Sequence, residues 1–493
     1  MDYISTRGKG GSIGPAEALI KGIADDGGLF VPAQTDIVFD IQKLIDKQYT
    51  LAAADILEPY FSSDGIDVTK CAQAAYNEDN FYTTPPVALS YTDSKIFLEL
   101  YHGKTAAFKD MALSVLPHLM AEALRVKDIQ QRIMILTATS GDTGKSALEA
   151  FADQPNIDIV VFYPDQGVSA VQKRHMQSQK GDNVHVFGIR GNFDDAQSAV
   201  KKAFDSKEVK QTARKHSVML SSANSINIGR LFPQTIYYWW AYGQLIGDQK
   251  IKPGEKVNFC VPTGNFGNIL AGYYASLAGL PVNRFICASN ENNVLTDFIN
   301  SGAYDKNRTF KKTISPSMDI LISSNLERLL FHLSENNAAY VADLMQQLAA
   351  NGVYEVNDSI KKALQSKFYG DYAKEADIKK MIHKTFEQEN YLIDTHTAAA
   401  AHVYERYQRQ TGDSTPTVIL STANAYKFAD NVLSAIAGQD SDSFEALREL
   451  EKVTKVPMHP ALKKIEEAKL LHTQVCDKEE IIPLIENLLK EGK

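Results

Sequence analysis

One lysine and two polar, glycine-bearing loops carry residue types that could do chemistry. In His102-Gly-Lys-Thr-Ala-Ala-Phe-Lys109-Asp110, Lys109 opens an apolar stretch. An ammonium at a helix start faces the positive end of the peptide dipoles. That end, together with burial, lowers the pKa of an amine. A neutral amine is what bonding to an aldehyde requires. On these residues alone, Lys109 reads first as an exposed lysine beside Asp110.

Thr137-Ala-Thr-Ser-Gly-Asp-Thr-Gly144 joins a predicted strand to a predicted helix. Small residues let a ligand approach the backbone, and free N–H groups at a helix start favour an anion. The plain alternative is a tight turn with Asp142 or Thr143 as helix cap. Gly144-Lys145-Ser146 imitates the end of a nucleotide P-loop, but that pattern needs glycine where Thr139 stands. A branched side chain there hinders the phosphate-wrapping turn. Pro262-Thr-Gly-Asn-Phe-Gly-Asn268 has a similar setting. Gly264 and Gly267 permit a wrapped backbone whose N–H groups converge on a phosphate. A ligand-free turn is the alternative, and it leaves two glycines and two asparagines before an apolar helix unexplained.

These loops need a scaffold. Short β-branched runs at Ile133–Leu136, Ile159–Phe162, Val184–Phe187 and Val218–Ser221 alternate with helical patterns at 143–151, 170–179 and 194–204. A second series runs through Val257–Val261, a helix over 269–277, and Arg284–Ala288, with Val418–Leu420 as its last clear strand. Such alternation predicts parallel sheets covered on both faces. Ile96–Leu100 reads as a further strand, followed by a helix from about 107 that Pro117 divides. The first hundred residues and the region from about 320 to 410 read as mainly helical. The class is therefore α/β: two α/β domains with mostly parallel sheets, plus a mainly helical N-terminal region. Ligands of such sheets bind beyond the carboxyl ends of the strands, where these loops converge.

Bulk properties narrow the classes. At 493 residues the chain exceeds one compact core. With 44% hydrophobic and 23% charged residues it is globular rather than disordered. Its formal charge of −8 gives no net pull toward nucleic acid or an anionic membrane, so any phosphate must be held locally. Cys71, Cys260, Cys287 and Cys476 are scattered, which predicts buried thiols in a reducing compartment rather than a disulfide framework or zinc site. Without an apolar N-terminal stretch or an uninterrupted apolar span, a cytoplasmic location is expected. The expected state is monomer or homodimer.

Taken together, the segments resemble the threonine synthase family, within the tryptophan-synthase-β-like group of pyridoxal-phosphate enzymes. The likeness rests on Ser5–Gly8, Ala24–Pro32, His102–Asp110, Ala138–Gly144, Asn224-Ser-Ile-Asn-Ile-Gly-Arg230, Pro262–Asn268, Ser315–Asp319 and Leu420–Ala423, in consistent order over most of the chain.

The resemblance implies pyridoxal 5′-phosphate as cofactor, the group's fold type II, and a lyase. The expected reaction is β,γ-replacement, taking O-phospho-L-homoserine and water to L-threonine and phosphate. It makes Lys109 the lysine bonded to the cofactor and later the base for the α-proton. Gly264, Asn265, Phe266, Gly267 and Asn268 would cradle the cofactor phosphate, with Thr422 against the pyridine nitrogen. Ser140, Gly141, Asp142 and Thr143 match the loop holding the substrate carboxylate. Asn224, Ser225 and Arg230 match the region of the substrate phosphate. An ionised Asp142 cannot donate to a carboxylate, so its side chain is expected to point away or cap the helix. Arg230 reads alternatively as a structural ion pair, Thr422 as a strand-end cap, and Lys145 as a solvated lysine. Expected domains are 1–95, the family's N-terminal unit; 96–132 with 226–493, the large cofactor domain; and 133–225, the small one.

Two departures are visible: many long family members carry His-Pro where this chain has Asn424-Ala425, and the glycine-rich opening Gly8–Gly14 is also atypical. A hydroxyamino-acid dehydratase or other β-replacement lyase on the same scaffold is the enzymatic alternative. It would need no second phosphate site. A noncatalytic binding protein that has kept the fold, and a nucleotide-binding kinase, are the others.

Overall fold

The computed structural model describes residues 1–493 except Asp46, Ser140, Gly167, Gly492 and Lys493, with Phe193 and Asp194 described by their backbone only. Two sheets organise the chain. The larger has six strands in the order Phe368–Tyr372, Val282–Ser289, Val257–Pro262, Thr417–Ser421, Ile96–Glu99 and Ala88–Tyr91. All neighbours are parallel except the last pair. The smaller runs Val475–Asp477, Val184–Arg190, Ile157–Pro164, Arg132–Ala138 and Val218–Ser221, parallel throughout. Central strands in both are apolar runs because both faces are covered. Every position of Ile157–Pro164 and of Val257–Pro262 is buried.

The helix expected from about 107 is divided. A turn of helix spans Asp110–Leu113, and a second helix, Leu116–Val126, carries Pro117 in its first turn. Proline suits that place because its missing N–H has no helical partner there.

Several short strands escaped the sequence reading. Tyr3–Ser5 and Phe30–Pro32 pair antiparallel within the otherwise helical N-terminal region. Phe368–Tyr372 extends the large sheet between helices Asp358–Lys367 and Glu375–Glu389. Val418–Leu420 lies within Thr417–Ser421, the last strand of the large sheet in chain order, while a later strand, Val475–Asp477, joins the small sheet.

Two domain expectations also change. Ala88–Tyr91 belongs to the large sheet although it lies before residue 96. Val475–Asp477 and the helix Ile481–Lys490 join the small unit, not the large one. The helix buries Ile481, Ile485 and Leu489 among Ala196, Val200 and Val209. Their spacing of four puts them on one face, which needs that apolar surface. All four cysteines are free and buried. Among the described residues no helix is long and apolar enough to cross a membrane, and no cluster of His, Cys, Asp and Glu could hold a metal.

Candidate active site

Lys109 is delivered by a segment strapped to the end of a central strand. Phe108 N–H donates to the Thr422 carbonyl at 2.8 Å, and Asn424 N–H to the Ala106 carbonyl at 3.0 Å. Asp110 anchors the same segment, accepting from Thr105 N–H at 2.8 Å and from the Thr105 hydroxyl at 2.5 Å. The result is a buried lysine, 8% exposed, and not the solvated neighbour of Asp110. Its pKa falls to about 8. Burial is the main cause; the nearby Lys427 and Arg230 lower it further, against the opposing pull of Asp142 and Asp110. The helix it opens has only four residues, so the expected dipole contributes little.

Asp142 does not point away. It opens the helix Asp142–Phe151 without capping it and turns its carboxylate inward. Lys427 Nζ lies 2.8 Å from Oδ1, and Lys109 Nζ 3.7 Å from Oδ2. Gln172 Nε2 also donates to Oδ1, at 3.0 Å. Burial opposes ionisation of this carboxyl, but the two lysines prevail and hold its pKa well below the usual carboxylate range. Gly141 has φ +143°, and a Cβ there would meet Gln172 Nε2 at 2.6 Å. Thr143 is half-buried in the first helical turn, and Ser140 lies outside the described residues. The Thr139 hydroxyl accepts from Gly141 N–H at 3.0 Å and Gly144 N–H at 2.8 Å. It therefore occupies two donors that a nucleotide loop would turn toward phosphate. Lys145 is buried against Glu149 at 2.8 Å rather than solvated.

The Gly264–Asn268 loop precedes the eleven-residue helix Gly267–Leu277. Phe266 sits at φ +63°. Gly264 is required by packing: a Cβ would lie 2.6 Å from the Ser317 carbonyl oxygen. The Asn265 carbonyl accepts from Asn325 N–H at 3.1 Å, and Ser323 donates to the Gly264 carbonyl at 2.7 Å. These bonds consume carbonyls and leave the loop's donors at the helix start. Asn268 Nδ2 is buried without a partner among the described residues.

Arg230 is 3% exposed and donates through Nη1 to the Ala223 carbonyl at 2.5 Å, while Nε is buried without a partner among the described residues. Burial lowers its pKa to about 10. It makes no ion pair among the described residues, and the contact that holds it is the Ala223 carbonyl. Ser225 accepts from Asn325 Nδ2 at 3.3 Å, and Asn224 N–H donates to the Ser222 hydroxyl at 3.2 Å. Thr422 is buried at the strand end.

Sequence reasoning missed four contributors. Lys427 comes from a turn that Asn424 caps, accepting from Tyr426 N–H at 3.1 Å. Ser317 places its hydroxyl 3.5 Å from Lys109 Nζ and 3.3 Å from Asp142 Oδ2. His396 Nε2 accepts from Ser317 N–H at 3.1 Å, with Nδ1 2.7 Å from Asp394. An Nε2 that accepts must be bare, so the ring proton sits on Nδ1, facing the carboxylate. Gln172 is the fourth. Ser317 lay in a quoted family segment, but nothing local marked the other three.

A buried, easily neutralised lysine at the strand ends of a parallel sheet, facing a glycine loop at a helix start, belongs to the pyridoxal-phosphate-dependent enzymes. Residues 82–423 match the family described as pyridoxal-phosphate dependent enzyme. Residues 2–76 match threonine synthase N terminus, and residues 397–468 match threonine synthase, C-terminal. The chain belongs to the threonine synthase family. It is 36% identical to threonine synthase of Pseudomonas aeruginosa, over 89% of this chain and 91% of that protein. It is also 36% identical to threonine synthase-like 1 of Homo sapiens over 94% of its own length, but it spans only 64% of that relative. The crystal structure of PLP-bound threonine synthase from Brucella melitensis superposes with a TM-score of 0.86 at 36% identity, covering 99% of both chains.

Proposed function

We propose that this chain is a threonine synthase, taking O-phospho-L-homoserine and water to L-threonine and inorganic phosphate with pyridoxal phosphate as cofactor. The reading is supported by an amine of lowered pKa together with two separate groups suited to an anion. These are the loop ending in Asn268, whose Nδ2 has no partner among the described residues, and the Arg230 guanidinium, whose Nη1 is held by the Ala223 carbonyl while its Nε has no partner among those residues. A cofactor phosphate and a substrate phosphate together need two such places.

The residues fit the cofactor. Lys109 would hold it covalently, and Gly264, Asn265, Phe266, Gly267 and Asn268 would take its phosphate on N–H groups. The Thr422 hydroxyl would face the pyridine nitrogen. Bound there, the cofactor supplies an electron sink for a carbanion at the substrate α carbon.

The chain supplies the rest. Lys109 Nζ, once free, takes the α-proton, as an amine with a pKa of about 8 can near neutrality. The substrate carboxylate would be taken by the 140–143 loop, on Thr143, the backbone N–H of Asp142 and Ser140, with Gly141 contributing its missing side chain rather than its N–H, which Thr139 holds. Asn224, Ser225 and Arg230 receive the substrate phosphate, the guanidinium offering a planar fork. In net terms the γ carbon loses phosphate and gains a proton, while the β carbon exchanges a proton for the hydroxyl of water. Four free, buried thiols suit the reducing, cytoplasmic setting.

The test compares turnover of phosphohomoserine, serine and threonine by the purified enzyme. Stoichiometric threonine and phosphate from the first supports the reading. Preferred deamination of serine or threonine overturns it in favour of a dehydratase.

A further inference from the structure

We propose that Lys427 and Asp142 form a positioning pair for the Lys109 amine, with Lys427 holding the carboxylate ionised and turned inward, and the carboxylate seating and charge-balancing the amine. The inference rests on Lys109 being the cofactor-bearing lysine and goes further, to what governs that amine.

The geometry is directional. Lys427 Nζ donates to the Thr105 carbonyl at 2.7 Å and to Asp142 Oδ1 at 2.8 Å. Gln172 takes the same oxygen. Oδ2 is left for the site: the Ser317 hydroxyl at 3.3 Å and Lys109 Nζ at 3.7 Å. The side chains of Lys427 and Asp142 are only 2% and 3% exposed. A buried ion pair repays its desolvation poorly, and an apolar pair of similar volume often stabilises as well. Stability alone is therefore a weak reason for this pair. One carboxylate oxygen kept for a reactive amine is a better one.

The charges facing Lys109 come from several elements. Asp142 is on the helix Asp142–Phe151, Lys427 on the turn Ala425–Phe428, Arg230 on the helix Ile228–Leu231, and Asp110 adjoins it. His396, on a further helix, Thr395–Thr411, is a titratable group beside Asp142. Lys427 and Asp142 oppose one another in their effect on the amine. Removing either one unbalances Lys109 in a direction fixed by sign.

The test titrates Lys109 itself. Full-length protein freed of cofactor is acylated with an amine reagent in brief pulses across pH, and the Lys109 peptide is quantified by mass spectrometry. Asp142→Asn should lower the midpoint, because Lys109 then faces Lys427 and Arg230 without their counter-ion. Lys427→Gln should raise it, because Asp142 then acts unopposed. Each shift is expected to reach about one pH unit, and the double variant should return toward the parent. Circular dichroism checks folding, and each single variant is read independently if the other does not fold. An unmoved midpoint, or shifts of the same sign, overturns the pair. If neither single variant folds, the role is structural and the proposal falls. Borohydride reduction of the loaded wild type, with the adduct mapped to Lys109, tests the parent assignment separately.

Discussion

Tyr237 places its hydroxyl 2.7 Å from Asn268 Oδ1, and the neighbouring Tyr238 hydroxyl lies 2.8 Å from the same oxygen. Two buried phenols thus fix the carbonyl end of one amide. Its Nδ2 remains a buried donor without an acceptor among the described residues. Such a group costs about 1–3 kcal/mol when unsatisfied, so it gains by meeting an anion. Asn268→Ala should weaken cofactor binding at least about tenfold, measured by absorbance titration of the cofactor-free protein. Tyr237→Phe should weaken it less, since Tyr238 still holds the oxygen. Unchanged affinity in Asn268→Ala would remove this amide from the cofactor site.

Arg230 separates the two anion sites by experiment. Its guanidinium is buried with Nε unpartnered among the described residues, so an anion that reaches Nε meets little competition there. Arg230→Met should raise KM for phosphohomoserine by about tenfold or more while leaving cofactor affinity nearly unchanged. Arg230→Lys should rescue little, because an ammonium lacks the planar fork. Steady-state kinetics beside cofactor titration reads both arms. An equal loss of cofactor affinity would assign Arg230 to the wrong phosphate.

Much of this site was legible where local pattern carries it. The β-branched runs gave the central strands, because strands buried on both faces need apolar residues throughout. The 264–268 loop stood out by residue type at a strand end, whereas Lys109 read first as an exposed lysine and only the family resemblance marked it. Lys427 did not: its meaning comes from Asp142, which another sheet delivers, and no local spacing links them. Asp142 was misread for the same reason, since its charge was weighed without the cation that neutralises it. Val475–Asp477 is three residues long with one position buried, too little for a strand signal. Phe368–Tyr372 hides its strand character behind Gly370 and Asp371.

Gly264 predicts a failure by sterics alone. A Cβ there would stand 2.6 Å from the Ser317 carbonyl oxygen, backbone that cannot swing aside like a side chain. The 315–319 segment is itself fixed, by Ser317 N–H on His396 and by Asp319 accepting from Asn290 and Asn292. Gly264→Ala should therefore displace one loop or the other, costing about 1–3 kcal/mol of stability and a larger share of cofactor affinity. Gly267→Ala is the control, since its nearest neighbour would be 3.5 Å away, an ordinary contact. If it nonetheless abolishes cofactor binding, the bound phosphate approaches Gly267 itself. Denaturant midpoints with and without cofactor distinguish the two costs.

The last prediction concerns pH. Lys109 titrates near 8 in the folded chain against an ordinary value of 10.5. Its folded-state value is depressed, so the folded state disfavours the charged amine. Below pH 8 both folded and unfolded chains carry the proton, and the full penalty is present. Between 8 and 10.5 only the unfolded chain holds it, so this group makes stability rise with pH. Above 10.5 the penalty is gone. Lys109→Met in cofactor-free protein should accordingly be more stable than the parent at pH 7, by up to about 3 kcal/mol. That gain should shrink steadily from pH 8 upward. Urea unfolding of both proteins at pH 7, 9 and 10 measures it. A variant less stable than the parent at pH 7, or a difference that ignores pH, would mean the amine is not held against its charge and would withdraw the physical basis for its reactivity.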